Sequence, residues 1–164
     1  MRPVIKKLLN ISASDVAKYY LYRSTRDGEL ISPLKMQKLI YYAYVWTLLK
    51  NHQKLFGEKI EAWSLGPVVP SLYRELKRYG SAPIDEDFIG SGKEIKEIES
   101  KFPPNVRKTI DEVYEEYMTK TAFELVQLVH EEKPWVNARK GLSPGKPSGK
   151  PIKDDDIIRA YSMA

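Results

Sequence analysis

Apolar and polar residues recur along most of this chain with the period of an α-helix. The clearest pattern begins at Ser32, a helix-capping residue, followed by Pro33, which suits a first helical turn. Apolar residues occupy one stripe of the predicted helix and much of its opposite face, and such a helix is usually buried. The two sets are Met36, Leu39, Ile40, Ala43 and Trp46, and Tyr42, Val45 and Leu49. We expect a central helix over about residues 33–50.

Helix start and stop signals predict further helices on both sides of this one. Ser12 and Asp15 begin a helix that Gly28 ends, and Thr121 with Glu124 has the spacing of a capping box. The other predicted helices cover residues 71–79, 93–100, 104–118 and 154–161, and Pro134 ends or restarts the helix that begins at Thr121.

One short stretch has the alternating pattern of a strand. We expect a small β element near Glu58–Leu65, paired with a segment around residues 151–152. Residues 66–70 include Gly66, Pro67 and Pro70, which oppose regular structure, so we expect a rigid connector there. Residues 142–151 hold three prolines and two glycines and are expected to form a mobile loop.

The predicted fold is therefore mainly α, a compact single-domain helical bundle around a buried central helix with a small β element. A length of 164 residues favours one domain, here residues 1–164. The chain has no cysteine, which excludes thiol catalysis, cysteine zinc sites and disulfides. After Lys6 and Lys7 the apolar run is only Leu8 and Leu9, too short for a signal peptide. We expect a cytoplasmic protein without a membrane segment.

The charge of the chain is unevenly distributed. Residues 1–80 hold 14 Lys and Arg against 6 Asp and Glu, while residues 81–164 hold 13 against 16. A basic half is compatible with binding to nucleic acid or to an acidic protein, and equally with a solvated lysine-rich surface.

Residues with catalytic potential do not form a recognisable motif. His52 and His130 are far apart in sequence, and neither has the spacing of a metal site. We interpret His130 as a helix-terminal histidine that complements the helix dipole. No serine elbow or phosphate loop occurs, so we expect no enzyme activity, cofactor or metal. A hydrolase built on paired carboxylates stays an alternative, because two carboxylates that are distant in sequence can be neighbours in the folded protein.

Six of the 11 tyrosines lie between residues 19 and 44. Tyrosine and arginine often anchor protein interfaces. The alternative is that these rings fill the seam between the first two helices, with their hydroxyls reaching water. The same stretch could stack nucleic-acid bases, but the turn between the two helices is longer than a helix-turn-helix motif needs. Nucleic-acid binding stays a minor alternative.

Three stretches of the chain carry a resemblance to a known family. Residues 35–43 read KMQKLIYYA and precede Trp46, residues 60–63 and 66–73 read IEAW and GPVVPSLY, and residues 128–139 read LVHEEKPWVNAR. In this order the stretches resemble the Panacea-domain antitoxins, the SocA-like or phage GepA-like group. The resemblance extends over roughly residues 13–161.

The resemblance implies a protein that neutralises a cognate toxin by direct binding. It implies a toxin encoded by the adjacent gene, often on a prophage, and one branch of the family delivers its toxin to a AAA+ protease. The family has no established catalytic residues. A transcriptional regulator that binds nucleic acid and an uncharacterised hydrolase are the alternatives.

The family motifs contain both structural residues and candidate contacts. The residues expected to have structural roles are Trp46, Trp63, Gly66, Pro67 and Pro70. The residues expected to contact a partner combine an apolar or planar body with a polar tip, and they are Tyr73, Arg74, Trp135 and Arg139.

Overall fold

Eight α-helices and one two-stranded sheet make up the part of the chain that the computed structural model describes, residues 5 and 8–162. The helices are α1 (Ala13–Asp27), α2 (Pro33–Asn51), α3 (Pro70–Leu76), α4 (Gly92–Lys101), α5 (Pro104–Tyr117), α6 (Ala122–His130), α7 (Lys133–Ala138) and α8 (Asp154–Ser162). Strands β1 (Glu61–Trp63) and β2 (Gly66–Val68) lie between α2 and α3, and 3-10 helices cover Lys77–Tyr79 and Glu86–Phe88. Lys6 and Lys7, considered above as the start of an export signal, lie outside the described residues.

The central position predicted for α2 is confirmed. Its most extensive contacts are with α5, and it also contacts α1, α3, α6, α8 and β2. Ser32 caps the helix by accepting a hydrogen bond from the N–H of Lys35, and Pro33 occupies the first turn. No helix in the described ranges is long and apolar enough to cross a lipid bilayer. The fold is mainly α with a small β element, as the sequence predicted.

Helix ends lie close to where the sequence placed them. The side chains and backbone N–H groups of Ser12 and Asp15 form a reciprocal capping box at the start of α1. Gly28 ends that helix with a left-handed φ of 74°. Thr121 and Glu124 form a second capping box at α6. Local capping groups thus lie at each of these boundaries.

Most tyrosines of the first two helices pack into the core, but their hydroxyls do not reach water as expected. Tyr20 is fully buried and donates to the backbone carbonyl of Ile110 at 2.7 Å. Tyr44 donates to the carboxylate of Asp154 at 2.6 Å. These hydroxyls satisfy acceptors on α5 and α8, so the tyrosines join distant elements to the first two helices.

The connector predicted over residues 66–70 is wrong for its first half, because residues 66–68 form β2. This strand pairs antiparallel with β1, and Pro67 lies opposite Ala62. The N–H of Ala62 points away from β2 and donates to the carbonyl of Lys150 at 2.8 Å. Pro67 therefore occupies a position without cross-strand hydrogen bonds, where its missing N–H costs nothing.

A third segment runs along the outer side of β1. Pro151 forms an isolated antiparallel bridge with Glu61, and the N–H of Ile152 donates to the carbonyl of Ile60 at 2.8 Å. The pairing expected around residues 151–152 is confirmed. Residues 142–150 form no helix or strand, and the mobility of this loop stays a prediction.

Gly66 allows close packing between the hairpin and the central helix. Its φ of 115° lies in the region that favours glycine. A Cβ atom at this position would lie 2.6 Å from Cε of Lys38 and 3.2 Å from Cγ1 of Val129. Both the backbone conformation and the packing therefore exclude a side chain.

We expect Gly66→Ala to destabilise the fold by about 2–4 kcal/mol, because it adds backbone strain to a steric clash. Chemical denaturation followed by circular dichroism measures this loss. Gly145→Ala is the matched control, since a Cβ there meets nothing within 4 Å. Equal stability of the two variants would contradict the role assigned to Gly66.

Candidate protein-interaction site

The β-hairpin is held from one side by two residues of the C-terminal half. Arg139 Nη1 donates to the carbonyl of Ala62 at 2.8 Å. Trp135 Nε1 donates to the carbonyl of Trp63 at 2.8 Å. The carbonyl of Ala62 faces away from β2, and a buried carbonyl needs a donor. Trp63 pairs with Gly66 at the turn, and its carbonyl also accepts the indole N–H there. Side chains of α7 and its C-cap therefore add donors to β1 beside the bridge that it forms with Pro151.

The central helix holds the hairpin from the other side. Lys38 is fully buried, and its Nζ donates to the carbonyl of Pro67 at 3.0 Å. The side-chain amide of Gln37 pairs with the backbone of Val69, accepting from its N–H at 3.0 Å and donating to its carbonyl at 3.3 Å. Neighbouring polar residues of α2 thus satisfy the backbone within β2 and directly after it.

Trp135 and Arg139 are not on the surface, although we expected them to contact a partner. Only 8% of Trp135 and 4% of Arg139 is exposed. Arg139 Nη2 also donates to the carbonyls of Ser143, Pro144 and Lys146, at 3.2, 3.2 and 2.5 Å. The polar tips of both side chains are engaged with backbone acceptors, so the fold uses them internally.

The other expected contact residues are exposed on α3. Tyr73 is 44% exposed, and Arg74 is exposed next to it. Trp46, which we expected to be structural, is half-buried; its Nε1 donates to the hydroxyl of Tyr117 at 2.9 Å, and its ring packs against Tyr161. Tyr73 and Arg74 stay candidates for partner contact.

An apolar groove opens on the surface where the hairpin meets α2 and α3. We call it the hairpin groove; it has a volume of about 300 Å³. Its lining includes the side chains of Leu34, Trp63, Leu65, Tyr73 and Leu76. The rings of Trp63 and Tyr73 meet edge to face with centroids 4.9 Å apart, and Leu65 is 55% exposed. Leu65 was not among the contact residues expected from the sequence, although a leucine in a tight turn is a signal of an exposed apolar contact.

A second groove adjoins the first along the hairpin. We call it the loop groove; it has a volume of about 440 Å³ and is lined by Glu61, Trp63, Ser64, Pro147, Ser148 and Gly149. Trp63 and Ser64 line both grooves, so the two form one continuous surface. Oε1 of Glu61 accepts a hydrogen bond from Nε1 of Trp63 at 2.9 Å, which orients the shared indole.

Two groups with shifted pKa values lie beneath the hairpin. Burial lowers the pKa of the Lys38 ammonium to about 7. The ring of His130 stacks on Trp135, with centroids 4.2 Å apart. Burial lowers the pKa of His130, and the nearby charges of Lys38 and Arg139 also lower it, whereas a hydrogen bond with the backbone of Ser64 raises it. His130 ends α6, but its lowered pKa argues against the cationic helix-end role that we assigned to it.

One carboxylate of the α6–α7 junction is also shifted. Burial raises the pKa of Glu132 to about 7, although the hydroxyl of Tyr42 donates to it at 3.0 Å and Tyr161 also forms a hydrogen bond with it. Glu132 faces these tyrosines, whereas His130 faces Trp135. His130 and Glu132 are the residue types that a hydrolase would use as base and acid. They contact different neighbours and do not form a pair. Among the described residues no group of three or more His, Asp and Glu side chains could hold a metal ion.

The sequence profile of the family described as "Antitoxin SocA-like, Panacea domain" matches residues 36–136. This range begins within α2, includes the whole hairpin with both of its polar partners on that helix, and ends at Val136 in α7. The chain belongs to this family of SocA-like Panacea domains.

A curated protein with a related sequence is Antitoxin SocA of Caulobacter vibrioides (strain NA1000 / CB15N). The two are 34% identical over 74 residues, which are 45% of this chain and 39% of that protein. The match thus spans about two fifths of the relative's length. No solved structure matches this chain.

The buried ammonium of Lys38 predicts a pH-dependent stability. Between about pH 7 and 10 the unfolded chain holds a proton that folded Lys38 has released, so the free energy of unfolding rises with pH through this window. In Lys38→Met this contribution disappears. Urea denaturation at several pH values should show the difference between wild type and variant change by at most about 1.4 kcal/mol per pH unit. Parallel profiles would contradict the assignment.

The internal role of Arg139 predicts a loss of stability without a partner. We expect Arg139→Ala to destabilise the isolated protein by about 3 kcal/mol or more, because it leaves several backbone carbonyls without their donor. Exposed Arg74→Ala is the matched control and should change stability by less than about 0.5 kcal/mol. Thermal denaturation of the purified proteins distinguishes the two. A stable Arg139→Ala protein would restore this residue as a contact candidate.

Proposed function

We propose that this chain neutralises a toxin protein by stoichiometric binding and makes or breaks no covalent bond. The observation that carries the proposal is membership of the SocA-like antitoxin family over residues 36–136. The proposal makes the chain a binding protein, with no catalytic residue, metal or cofactor.

The surface geometry supports this proposal. An interface of standard size buries roughly 1,600 Å² in total and depends on a few aromatic, arginine or apolar anchors. Tyr73, Trp63 and Leu65 provide such groups on a framework fixed by buried hydrogen bonds. A rigid surface loses little conformational entropy when it binds.

The partner in this proposal is a toxin encoded by the adjacent gene, and binding takes place in the cytoplasm. Delivery of the toxin to a AAA+ protease is a variant of the same proposal. Both variants require direct contact between the two proteins, and they differ in what happens to the toxin afterwards.

Co-expression tests the proposal. Cells that express the adjacent gene alone should stop growing, and cells that also express this chain should recover. Gly66→Ala is the control, because a destabilised fold should restore less growth at equal synthesis. Equal growth arrest with and without the wild-type chain would overturn neutralisation. Toxin half-life in the same cells separates the variants, since delivery to a protease shortens it and simple occlusion does not.

A further inference from the structure

We propose that the continuous surface around Trp63 binds a short segment of the partner protein in which apolar or aromatic residues are flanked by Asp and Glu. This inference rests on the proposed function and specifies its contact surface. The apolar residues of the segment would enter the hairpin groove beside Tyr73 and Leu65. Its acidic flanks would meet basic side chains at the two ends of the surface.

The hairpin groove is suited to an apolar side chain. The edge-to-face contact between Trp63 and Tyr73, at 4.9 Å, keeps both rings in fixed positions, and Leu65 extends the apolar wall into solvent. Two hydrogen bonds also hold Trp63 in place. Its carbonyl accepts from the indole N–H of Trp135, and its own Nε1 donates to the carboxylate of Glu61. Fixed aromatic groups bind with little loss of side-chain entropy.

Basic residues flank both ends of the surface. At the hairpin groove, Lys77 follows Tyr73 by one helical turn, and Arg74 is adjacent in sequence. At the loop groove, Lys146 and Lys150 flank the lining residues 147–149. All four basic side chains are exposed, and none forms an ion pair with a carboxylate of the described residues. Complementary acidic groups would accelerate binding and fix the orientation of the segment.

Two other occupants fit less well. A second copy of this chain bound symmetrically through the same surface would place like charges opposite each other. A nucleic-acid strand would pass Glu61, which lines the loop groove and whose carboxylate repels phosphates. A peptide can place its acidic residues at the ends of the surface and keep its apolar residues in the middle.

The test uses the purified product of the adjacent gene and overlapping 15-residue peptides that cover its sequence. Fluorescence anisotropy measures binding to the full wild-type chain. We expect the protein and one peptide with acidic flanks to bind, and Tyr73→Ala to weaken both by about 30-fold or more, as expected for an interface anchor. Reversal of two charges in Lys77→Glu/Lys146→Glu should weaken binding by about 10-fold and reduce its dependence on salt.

Matched variants control for unspecific effects. Lys96→Glu reverses an exposed charge on α4, and Tyr22→Ala removes a half-exposed tyrosine of α1, on faces other than the proposed surface. Both should bind as the wild type does. Circular dichroism of every variant verifies the fold, and Tyr73→Phe, which keeps the ring, provides a second variant that should bind nearly normally.

The outcomes separate this inference from the proposed function. If the toxin binds Tyr73→Ala and the charge-reversal variant as tightly as wild type, the contact surface is wrong and neutralisation stands. If the toxin does not bind the wild-type chain, both are overturned. If the surface variants lose affinity for a duplex of the adjacent promoter and keep their affinity for toxin, the surface binds nucleic acid and the inference fails.

Discussion

A short hairpin depends on donors from elsewhere in the chain, and this requirement organises the protein. Lys38 reaches it from the central helix, while Trp135 and Arg139 reach it from the α7 region. Lys38 and Arg139 satisfy backbone carbonyls that face away from the partner strand, and an unpaired buried carbonyl would cost about 1–3 kcal/mol. The bundle and the hairpin therefore stabilise each other, and neither half of the chain completes the arrangement alone.

Buried ionisable groups are the cost of this arrangement. The ammonium of Lys38 is buried under the hairpin, away from water, and this burial lowers its pKa. Glu132 shows the opposite shift at the α6–α7 junction. Protonation of Glu132 favours the folded state below about pH 7, and deprotonation of Lys38 favours it above. Both groups occupy positions that apolar residues would fill at lower electrostatic cost, and both use their polar atoms to hold neighbouring segments in place.

Sequence patterns predicted the parts of this fold that local chemistry determines. The start of α1 follows from Ser12 and Asp15, which are neighbours, and the burial of α2 follows from its own apolar faces. The strand at Pro67 was not predictable, because it depends on the N–H of Ala62 turning toward a distant loop. The burial of Arg139 likewise depends on a carbonyl 77 residues away. Tyr73 was identified as a contact candidate, but the groove beside it joins three separate segments and has no signature in any one of them.

The donors that hold the hairpin are far from it along the chain. Trp135 follows the carbonyl that it binds by 72 residues, so a ribosome translates much of the protein before that hydrogen bond can form. A nascent chain that has emerged only through α5 contains Trp63, Tyr73 and the donors of α2 but lacks Trp135 and Arg139. The contacts around the hairpin are thus complete only late in synthesis, after α7 and Arg139 have been translated.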